Sequence, residues 1–327
     1  MIVRYGSLSG ARFKQLVREP VTVIVPCAPL EVHGPHLPLA TDIIQSEHYA
    51  NALAERLSAS FPSRHFLMHP TLPLGVDPLP LAGSIGHDLD VVRRILVRIG
   101  ESMFHAGVHS MVITNFHGAP RHVLAHELAC DDLHALGFPA IAPMGLMLGD
   151  IVESSLGEQL EILREHLDDD TIDYETHAGA LETSIVMAMG HAPDEEHRRL
   201  PALDFRTSGG RIADFFRSMR GSATPRAGLP KFLWQLEALL RATDHFNRHS
   251  YGGDPRLATR EMGEAAIERF TQMQLEILQR FFSSSNPRAE ELQSVFWKHR
   301  RIILSGVIER LFDGGWNNRF REGAPAS

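Results

Sequence analysis

Residues Val21–Val25 read VTVIV, and residues Leu30–Asp42, which follow shortly after, read LEVHGPHLPLATD. The first stretch is β-branched and almost wholly apolar, which is typical of a strand buried on both faces of a sheet. Regular helix is disfavoured in the residues that follow by four prolines and one glycine: Pro26, Pro29, Gly34, Pro35 and Pro38. The second stretch is therefore predicted to be an ordered loop at the carboxyl end of the strand, where ligands bind in open α/β sheets.

The loop is rich in side chains that bind metal ions. It holds two carboxylates and two histidines within thirteen residues, namely Glu31, His33, His36 and Asp42. Neutral imidazole together with carboxylate suits zinc, iron or manganese. The alternative is a polar loop that contains histidines without binding anything, so the rest of the chain has to be searched for further ligands.

The composition restricts the class of protein. The chain has 327 residues, of which 43% are hydrophobic and 22% charged, and its formal net charge of −8 argues against a general nucleic-acid binder. Two cysteines, Cys27 and Cys130, do not make a disulfide framework. The first residues lack the apolar core of a signal peptide, and no window approaches a membrane span. We expect a cytoplasmic protein without a membrane or nucleic-acid partner.

Predicted strands and helices alternate along the first half of the chain. Further strands are expected at His65–His69, Met111–Thr114 and Phe138–Ala142, and helices at Ala11–Val17, Ile43–Ser58, Asp88–His105 and Arg121–Leu136. This order is typical of a three-layer α/β/α fold with a mostly parallel, doubly wound sheet.

The second half is predicted to be mainly helical. Helices are expected through Met189, over Arg260–Phe282 and near Ala289–Leu311. Residues 1–285 are expected to form one domain, and residues 286–327 a C-terminal helical extension.

Histidines and acids recur at two later positions. His117 directly follows a predicted strand, and His177 with Glu182 opens a predicted helix. Because the carboxyl ends of parallel strands share one edge of the sheet, the loop and His117 are expected to converge there. A hydrolytic site with two metal ions needs several such ligands and a carboxylate that bridges the ions. Taken singly, a histidine at a strand end is more often a structural residue.

These segments resemble the creatininase (creatinine amidohydrolase) family. Residues Glu31–Asp42 match its first motif, Glu-x-His-Gly-x-His-Leu-Pro-Leu-x-Thr-Asp, at every specified position. The third motif, His-Ala-Gly followed by Glu-Thr-Ser, is reproduced by His177–Gly179 and Glu182–Ser184. Asn115–Pro120 resembles the second motif, Asn-Gly-His-Gly-Gly-Asn, only in part, and Tyr251–Pro255 is a weaker fourth match. The resemblance covers about residues 15–265.

The resemblance implies a pair of divalent ions, zinc, manganese or iron. Glu31 and His117 would hold one ion and His33 the other, with Asp42 bridging both. Creatininase completes the second ion with a glutamate two residues after the histidine of its second motif, where this chain has Ala119. Glu182 is then the candidate for the missing ligand.

Other roles follow from the same resemblance. His177 would lie beside the substrate and shuttle a proton. His177 and Glu182 are therefore the two catalytic candidates. Asp77 and Tyr174 are further candidates for substrate binding. His36 and Asn115 are expected to support the ligands without binding metal themselves.

The implied reaction is hydrolysis of a C–N amide bond in a small molecule, either a cyclic amide or a formamide. The family includes a creatinine hydrolase, a formamidopyrimidine deformylase and a peptidase of mycofactocin maturation. The resemblance also implies a homo-oligomer, specifically a hexamer. Creatinine itself is not the expected substrate, because Gly118 and Tyr174–Thr176 replace aromatic residues of creatininase.

Two alternatives come from other classes of protein. Phe116, Ala119 and Pro120 depart from the second motif, which would also fit a non-catalytic or degenerate metal-binding protein with a regulatory or structural role. A nucleotide-binding Rossmann enzyme would share the sheet. It is disfavoured because no predicted strand is followed by the G-x-G-x-x-G fingerprint.

Overall fold

The structure is a computed structural model that describes residues 1–153, 161–191, 193, 195–220, 237–238, 240–242, 244–284 and 293–305. Within these residues, five parallel strands form one sheet: β1 Ile2–Arg4, β2 Val21–Pro26, β3 His65–Met68, β4 Ser110–Thr114 and β5 Ala140–Ile141. Their order across the sheet is β1-β3-β2-β4-β5. The order reverses direction at β2, as it does in doubly wound sheets.

Strand β2 is the centre of the sheet, as its apolar sequence predicts. It pairs with β3 on one side and β4 on the other, with Val23 opposite both Leu67 and Met111. All six residues of β2 are buried. A strand that is hydrogen-bonded on both edges and covered on both faces requires a nearly continuous run of apolar residues.

The helices lie in the following order along the chain: α1 Gly10–Leu16, α2 Thr41–Ser60, α3 Leu89–His105, α4 Pro120–Ala135, α5 Pro143–Glu153, α6 Glu161–Arg164, α7 Asp169–Tyr174, α8 Ala180–Ala188, α9 Gly210–Arg220, α10 Arg260–Ser283, α11 Val295–Lys298 and α12 Arg300–Ile303. None of these helices combines the length and the apolar character that crossing a membrane requires.

The two faces of the sheet are covered by different helices. Successive side chains of a strand point to opposite faces, so Val23 and Val25 pack in one apolar layer with α1, α3 and α4. Ile24 and Val112 pack in the other layer, with α2, α5, α8 and α10. The predicted three-layer α/β/α fold with a mostly parallel sheet is confirmed.

The structure differs from the sequence prediction at the start of the chain and in the loop. Strand β1 was not predicted, because three residues at the sheet edge are too few to show a period of two. The predicted helix Ile43–Ser58 begins two residues earlier, at Thr41, so Asp42 lies in the first turn of α2 and not on the loop. The amino-terminal end of a helix stabilises a carboxylate there.

The predicted helix near Ala289–Leu311 is also different. The part of it that the structure describes, residues 293–305, holds two helices of four residues each, α11 and α12. They meet at His299, which ends the first and precedes the second. The remainder of the predicted helix lies outside the described residues.

Candidate metal centre

The loop between β2 and α2 is folded back on itself. The backbone N–H of Glu31 donates to the carbonyl of Leu39 at 2.9 Å, which closes the loop. Gly34 has a φ of 66°, and a Cβ there would lie 2.6 Å from Nδ1 of His36. The turn at this position therefore requires glycine, both for its left-handed backbone and for the close approach of the imidazole.

His33 is fully buried and presents one free nitrogen to two carboxylates. Its Nδ1–H donates to the carbonyl of Glu31 at 3.0 Å, so Nε2 carries the lone pair when the imidazole is neutral. Nε2 lies 3.4 Å from Oδ1 of Asp42 and 3.5 Å from Oε1 of Glu182. No hydrogen bond satisfies Nε2 within the described residues.

His117 is arranged in the same way at the end of β4. Its Nε2–H donates to the carbonyl of Val76 at 3.1 Å. Nδ1 lies 2.9 Å from Oε2 of Glu31 and 3.4 Å from Oδ2 of Asp42. The two oxygens of Asp42 thus face two different histidines.

The ligand atoms form two groups that share Asp42. The atoms of Glu31, Asp42 and His117 lie within 4.8 Å of one another, and so do those of His33, Asp42 and Glu182. Three atoms of the cluster are buried without a hydrogen-bond partner in the described part of the chain: Oε2 of Glu31, Nε2 of His33 and Oδ2 of Asp42.

This donor set fits divalent metal ions. Unpaired buried polar atoms are costly unless a ligand satisfies them. Each histidine donates its second ring N–H to a backbone carbonyl, as metal-ligating histidines do. The nitrogen and oxygen donors suit zinc, manganese and iron.

The charges of the cluster depend on one another. Burial raises the pKa of Glu182, but His33 outweighs it and lowers that pKa to about 2. Burial also acts to raise the pKa of Asp42, but His33 and His117 lower that pKa well below its usual value. Despite burial, the neighbouring carboxylates raise the pKa of His33 and His117 well above 6.5. The cluster therefore favours positive charge, which a metal ion would supply on displacing the histidine protons.

Glu182 is held by two donors. It lies in the first turn of α8, where the backbone N–H of Ala178 donates to Oε2 at 2.7 Å. Nε2 of Gln45 donates to Oε1 at 2.8 Å. Gln45 was not among the predicted site residues, although its position three residues after Asp42 puts both side chains on one face of α2.

His177 lies beside the ligand groups. Its ring centre is 4.1 Å from that of His33, and its Nε2–H donates to the carbonyl of Val32 at 2.9 Å. The ring of Phe246 makes a T-shaped contact with that of His177, with the ring centres 5.7 Å apart. A ring nitrogen of His177 also lies within 4.8 Å of ligand atoms of Glu31 and His33.

His36 and Asn115 contact the ligand-bearing segments. Nε2 of His36 lies 2.9 Å from Oγ1 of Thr183, the neighbour of Glu182. Burial, together with the electrostatic interaction with His197, lowers the pKa of His36 to about 4, which favours its neutral imidazole. Asn115 makes two hydrogen bonds with the backbone of His117, one to its N–H and one to its carbonyl.

The two remaining predicted residues lie in different places. Asp77 has a left-handed φ of 53°, and its carboxylate is 3.2 Å from the guanidinium of Arg121. It belongs to residues 76–79, whose Leu79 N–H donates to Oε1 of Glu31. The ring of Tyr174 instead packs under the guanidinium of Arg206, at 5.1 Å. Substrate binding by Asp77 and Tyr174 stays a prediction.

The departures from the second motif have structural roles. Phe116 stacks on Tyr49 at 4.7 Å and packs with the apolar layer of α2 and α10. Ala119 is the residue that precedes α4, and Pro120 is its first residue, a position that proline favours.

The protein is thus an α/β/α protein with a doubly wound sheet and a buried candidate metal centre at its strand ends. The chain belongs to the creatininase family, because the sequence profile of that family, described as creatinine amidohydrolase, matches residues 7–278.

Several solved structures share this fold. A creatinine amidohydrolase (creatininase) has a TM-score of 0.58 at 17% identity over 86% of this chain and 99% of that one. A structure described as creatininase with Mn has a TM-score of 0.57 at 18% identity over 87% and 100%. A creatininase mutant of Zn–Zn type has a TM-score of 0.53 at 16% identity over 87% and 100%. At these identities the likeness is one of fold.

A curated relative is the mycofactocin precursor peptide peptidase of Mycobacterium tuberculosis. It is 30% identical over 118 residues, which are 35% of this chain and 47% of the relative. The match thus spans about half the length of that protein.

Proposed function

We propose that this protein is a metal-dependent amidohydrolase that uses water to cleave a C–N amide bond of a small molecule, a cyclic amide or a formamide. One observation carries the proposal. The oxygens of Asp42 face two separate histidines, with Oδ1 3.4 Å from Nε2 of His33 and Oδ2 3.4 Å from Nδ1 of His117. A carboxylate that reaches both ligand groups is what a hydrolytic site with two ions needs.

Five side chains supply the ligands of the proposed centre. Glu31 and His117 would hold one divalent ion, His33 and Glu182 would hold the other, and Asp42 would be a ligand in both groups. Bound divalent ions lower the pKa of a water molecule and polarise the amide carbonyl. The creatininase structures described with Mn and as Zn–Zn type support this kind of ion at such a site.

His177 is proposed to move the proton. Its Nε2–H is used by the carbonyl of Val32, so Nδ1 is the nitrogen with a free lone pair. Nδ1 accepts a proton from the attacking water and delivers it to the leaving nitrogen. The water oxygen forms a bond with the carbonyl carbon, and the C–N bond breaks as the leaving nitrogen takes up the proton.

A peptide amide is the second candidate substrate. The similarity to the mycofactocin precursor peptide peptidase favours it, and the same ligands and proton path would serve. A panel of cyclic amides and N-formyl compounds, tested beside short peptides, separates the two substrates. A homo-oligomer, with a hexamer as the specific expectation, also stays a prediction.

Metal content per chain tests the centre itself. The protein is purified without chelator and analysed for metals as wild type, as Glu182→Ala and as Glu264→Ala, a control on the exposed face of α10. We expect two ions in the wild type and control, and one in Glu182→Ala.

One ion in all three proteins would contradict the dinuclear centre. Two ions without turnover on either substrate panel would instead favour the non-catalytic alternative.

A further inference from the structure

We infer that His122 is a positioning residue for the metal ligand His117, and that it prepares one of the two ion sites and not the other. The inference rests on the proposed metal centre. His122 is fully buried in the first turn of α4, and no motif assigned it a role.

Both ring nitrogens of His122 are engaged. The backbone N–H of Val76 donates to Nδ1 at 3.2 Å, and Nε2 lies 3.2 Å from Oδ1 of Asn115. A nitrogen that accepts from an N–H carries no proton, so the proton of the neutral imidazole is on Nε2 and is donated to Asn115.

Asn115 and Val76 carry the contact on to His117. Asn115 Oδ1 also accepts from the His117 backbone N–H at 2.7 Å, and its side-chain amide donates to the His117 carbonyl at 2.8 Å. The N–H of Val76 donates to Nδ1 of His122, and the carbonyl of Val76 accepts from Nε2–H of His117. These hydrogen bonds form a closed ring that orients the His117 imidazole with Nδ1 toward Glu31 and Asp42.

The same set of hydrogen bonds also orients Glu31, the ligand proposed to share an ion with His117. Val76 begins residues 76–79, and the Leu79 N–H at their end donates to Oε1 of Glu31. His33 and Glu182 are held by other groups: the Glu31 carbonyl holds His33, while Gln45 and the Ala178 N–H hold Glu182. Loss of His122 should therefore weaken the site of Glu31 and His117 selectively.

His126 provides a matched control. It is one turn further along α4, buried, and its ring centre is 4.2 Å from that of His122. Its Nε2 has no hydrogen-bond partner within the described ranges, and none of its described contacts joins it to Asn115 or Val76. Replacing either histidine by leucine removes a buried imidazole, but only His122→Leu breaks the ring of hydrogen bonds.

The experiment measures zinc affinity at both sites by competition with a chromogenic chelator, and the melting temperature of the metal-free protein. In His122→Leu we expect one site to weaken by about 10–100-fold, the usual effect of losing a partner of a metal ligand. The other site should keep its affinity. His126→Leu should leave both affinities unchanged even if its melting temperature falls, and His122→Gln, which keeps a polar side chain, should recover part of the loss.

Unchanged zinc affinity in His122→Leu would overturn the inference, as would equal losses in the two leucine variants. If His122→Leu does not fold, His122→Gln decides: it must show the same selective weakening in smaller degree. A wild-type protein that binds fewer than two zinc ions refutes the dinuclear centre. The inference about His122 then depends on whether the remaining ion weakens in His122→Leu and not in His126→Leu.

Discussion

Asp42 is the residue that both ligand groups share, and its place in α2 explains how. The first turn of α2 points its carboxylate at His33 and His117 together. A ligand on a helix is held more rigidly than one on a loop, and the free N–H groups at the helix start favour its negative charge.

Asp42→Asn should remove both metal ions and all turnover. The amide keeps the size of the carboxylate but replaces one oxygen by a nitrogen that cannot bind a cation. The measurement is metal content and initial rate, with the exposed Asp90→Asn as the control. A variant that kept two ions and wild-type turnover would disprove the role of Asp42 as the bridging ligand.

His177→Ala separates the proton shuttle from the metal ligands. We expect kcat to fall by about 10²–10⁴-fold, the usual contribution of a general base, while two ions remain bound. Steady-state kinetics and metal analysis on the same preparation provide the test, with the exposed His191→Ala as the control. Loss of an ion in this variant would instead identify His177 as a ligand in the group of Glu31, His33 and His177.

The position of Glu182 depends on how closely two helices approach. Gly263 in α10 lies against α8, and a Cβ there would be 1.9 Å from the carbonyl oxygen of Ser184. The hydroxyl of Ser184 also accepts from the N–H of Thr259, which precedes α10. Helix α8 can hold Glu182 at the cluster only while α10 presents a glycine at this crossing.

Gly263→Ala should therefore lower the free energy of unfolding, by about 1–3 kcal/mol as for other overpacked sites. The backbone carbonyl of Ser184 cannot move aside as a flexible side chain could. Gly10→Ala in α1 is the control, because a Cβ there meets nothing within 4 Å and alanine is the better helix former. Urea unfolding measures both variants. Equal stability of Gly263→Ala and wild type would show that α8 and α10 separate without cost.

Patterns along the chain predicted the elements whose residues share one environment. Strand β2 was predicted because all its residues are buried, and α3 because its apolar stripe faces the sheet. Two short helices in place of one long helix after residue 293 were not predictable, because α11 packs against α4 and α5 and α12 packs against α4. Propensity is overridden by tertiary contacts in such segments.

The candidate site was predicted where its residues belong to a local motif, and was not predicted where they depend on contacts between distant segments. Glu31, His33 and Asp42 belong to one specific motif, so their spacing alone indicates a site. Gln45 and His122 acquire their contacts from residues 137 and 46 positions away, respectively. A contact between distant segments leaves no periodic signal in a single sequence, so neither residue could be assigned before the structure.

At the scale of the whole molecule, the C-terminal extension packs on α4, which carries His122, and on α5, which belongs to the opposite layer. A Cβ on Gly145 in α5 would lie 3.2 Å from Cβ of Ser294, and one on Gly149 would lie 3.5 Å from the backbone of Val295. The Ser294 hydroxyl hydrogen-bonds to the carboxylate of Glu127 on α4. The boundary at residue 285 stays a prediction, but this contact joins the two parts.

Glu127 should make the stability of the molecule depend on pH. Burial raises the pKa of its carboxyl from 4.5 to about 7, and Ser294 offsets only part of this. The folded state binds the proton of Glu127 more tightly than the unfolded state does, so protonation of Glu127 stabilises the folded state. This contribution is complete below pH 4.5 and is lost as the pH rises through 7. At higher pH the buried carboxylate is charged, and one of its oxygens has no hydrogen-bond partner among the described residues.

Glu127→Gln removes this titration while keeping a polar group beside Ser294. At about pH 8.5 the variant should be more stable than the wild type by about 1–3 kcal/mol, and at about pH 5 the two should differ little. Urea unfolding at both pH values gives the comparison, and the exposed Glu264→Gln should show no pH-dependent difference. A wild type that is more stable than Glu127→Gln at the higher pH would mean that the carboxylate is stabilised in its charged form. The contact between α4 and the C-terminal extension would then be an ionic one that strengthens, and does not weaken, as the pH rises.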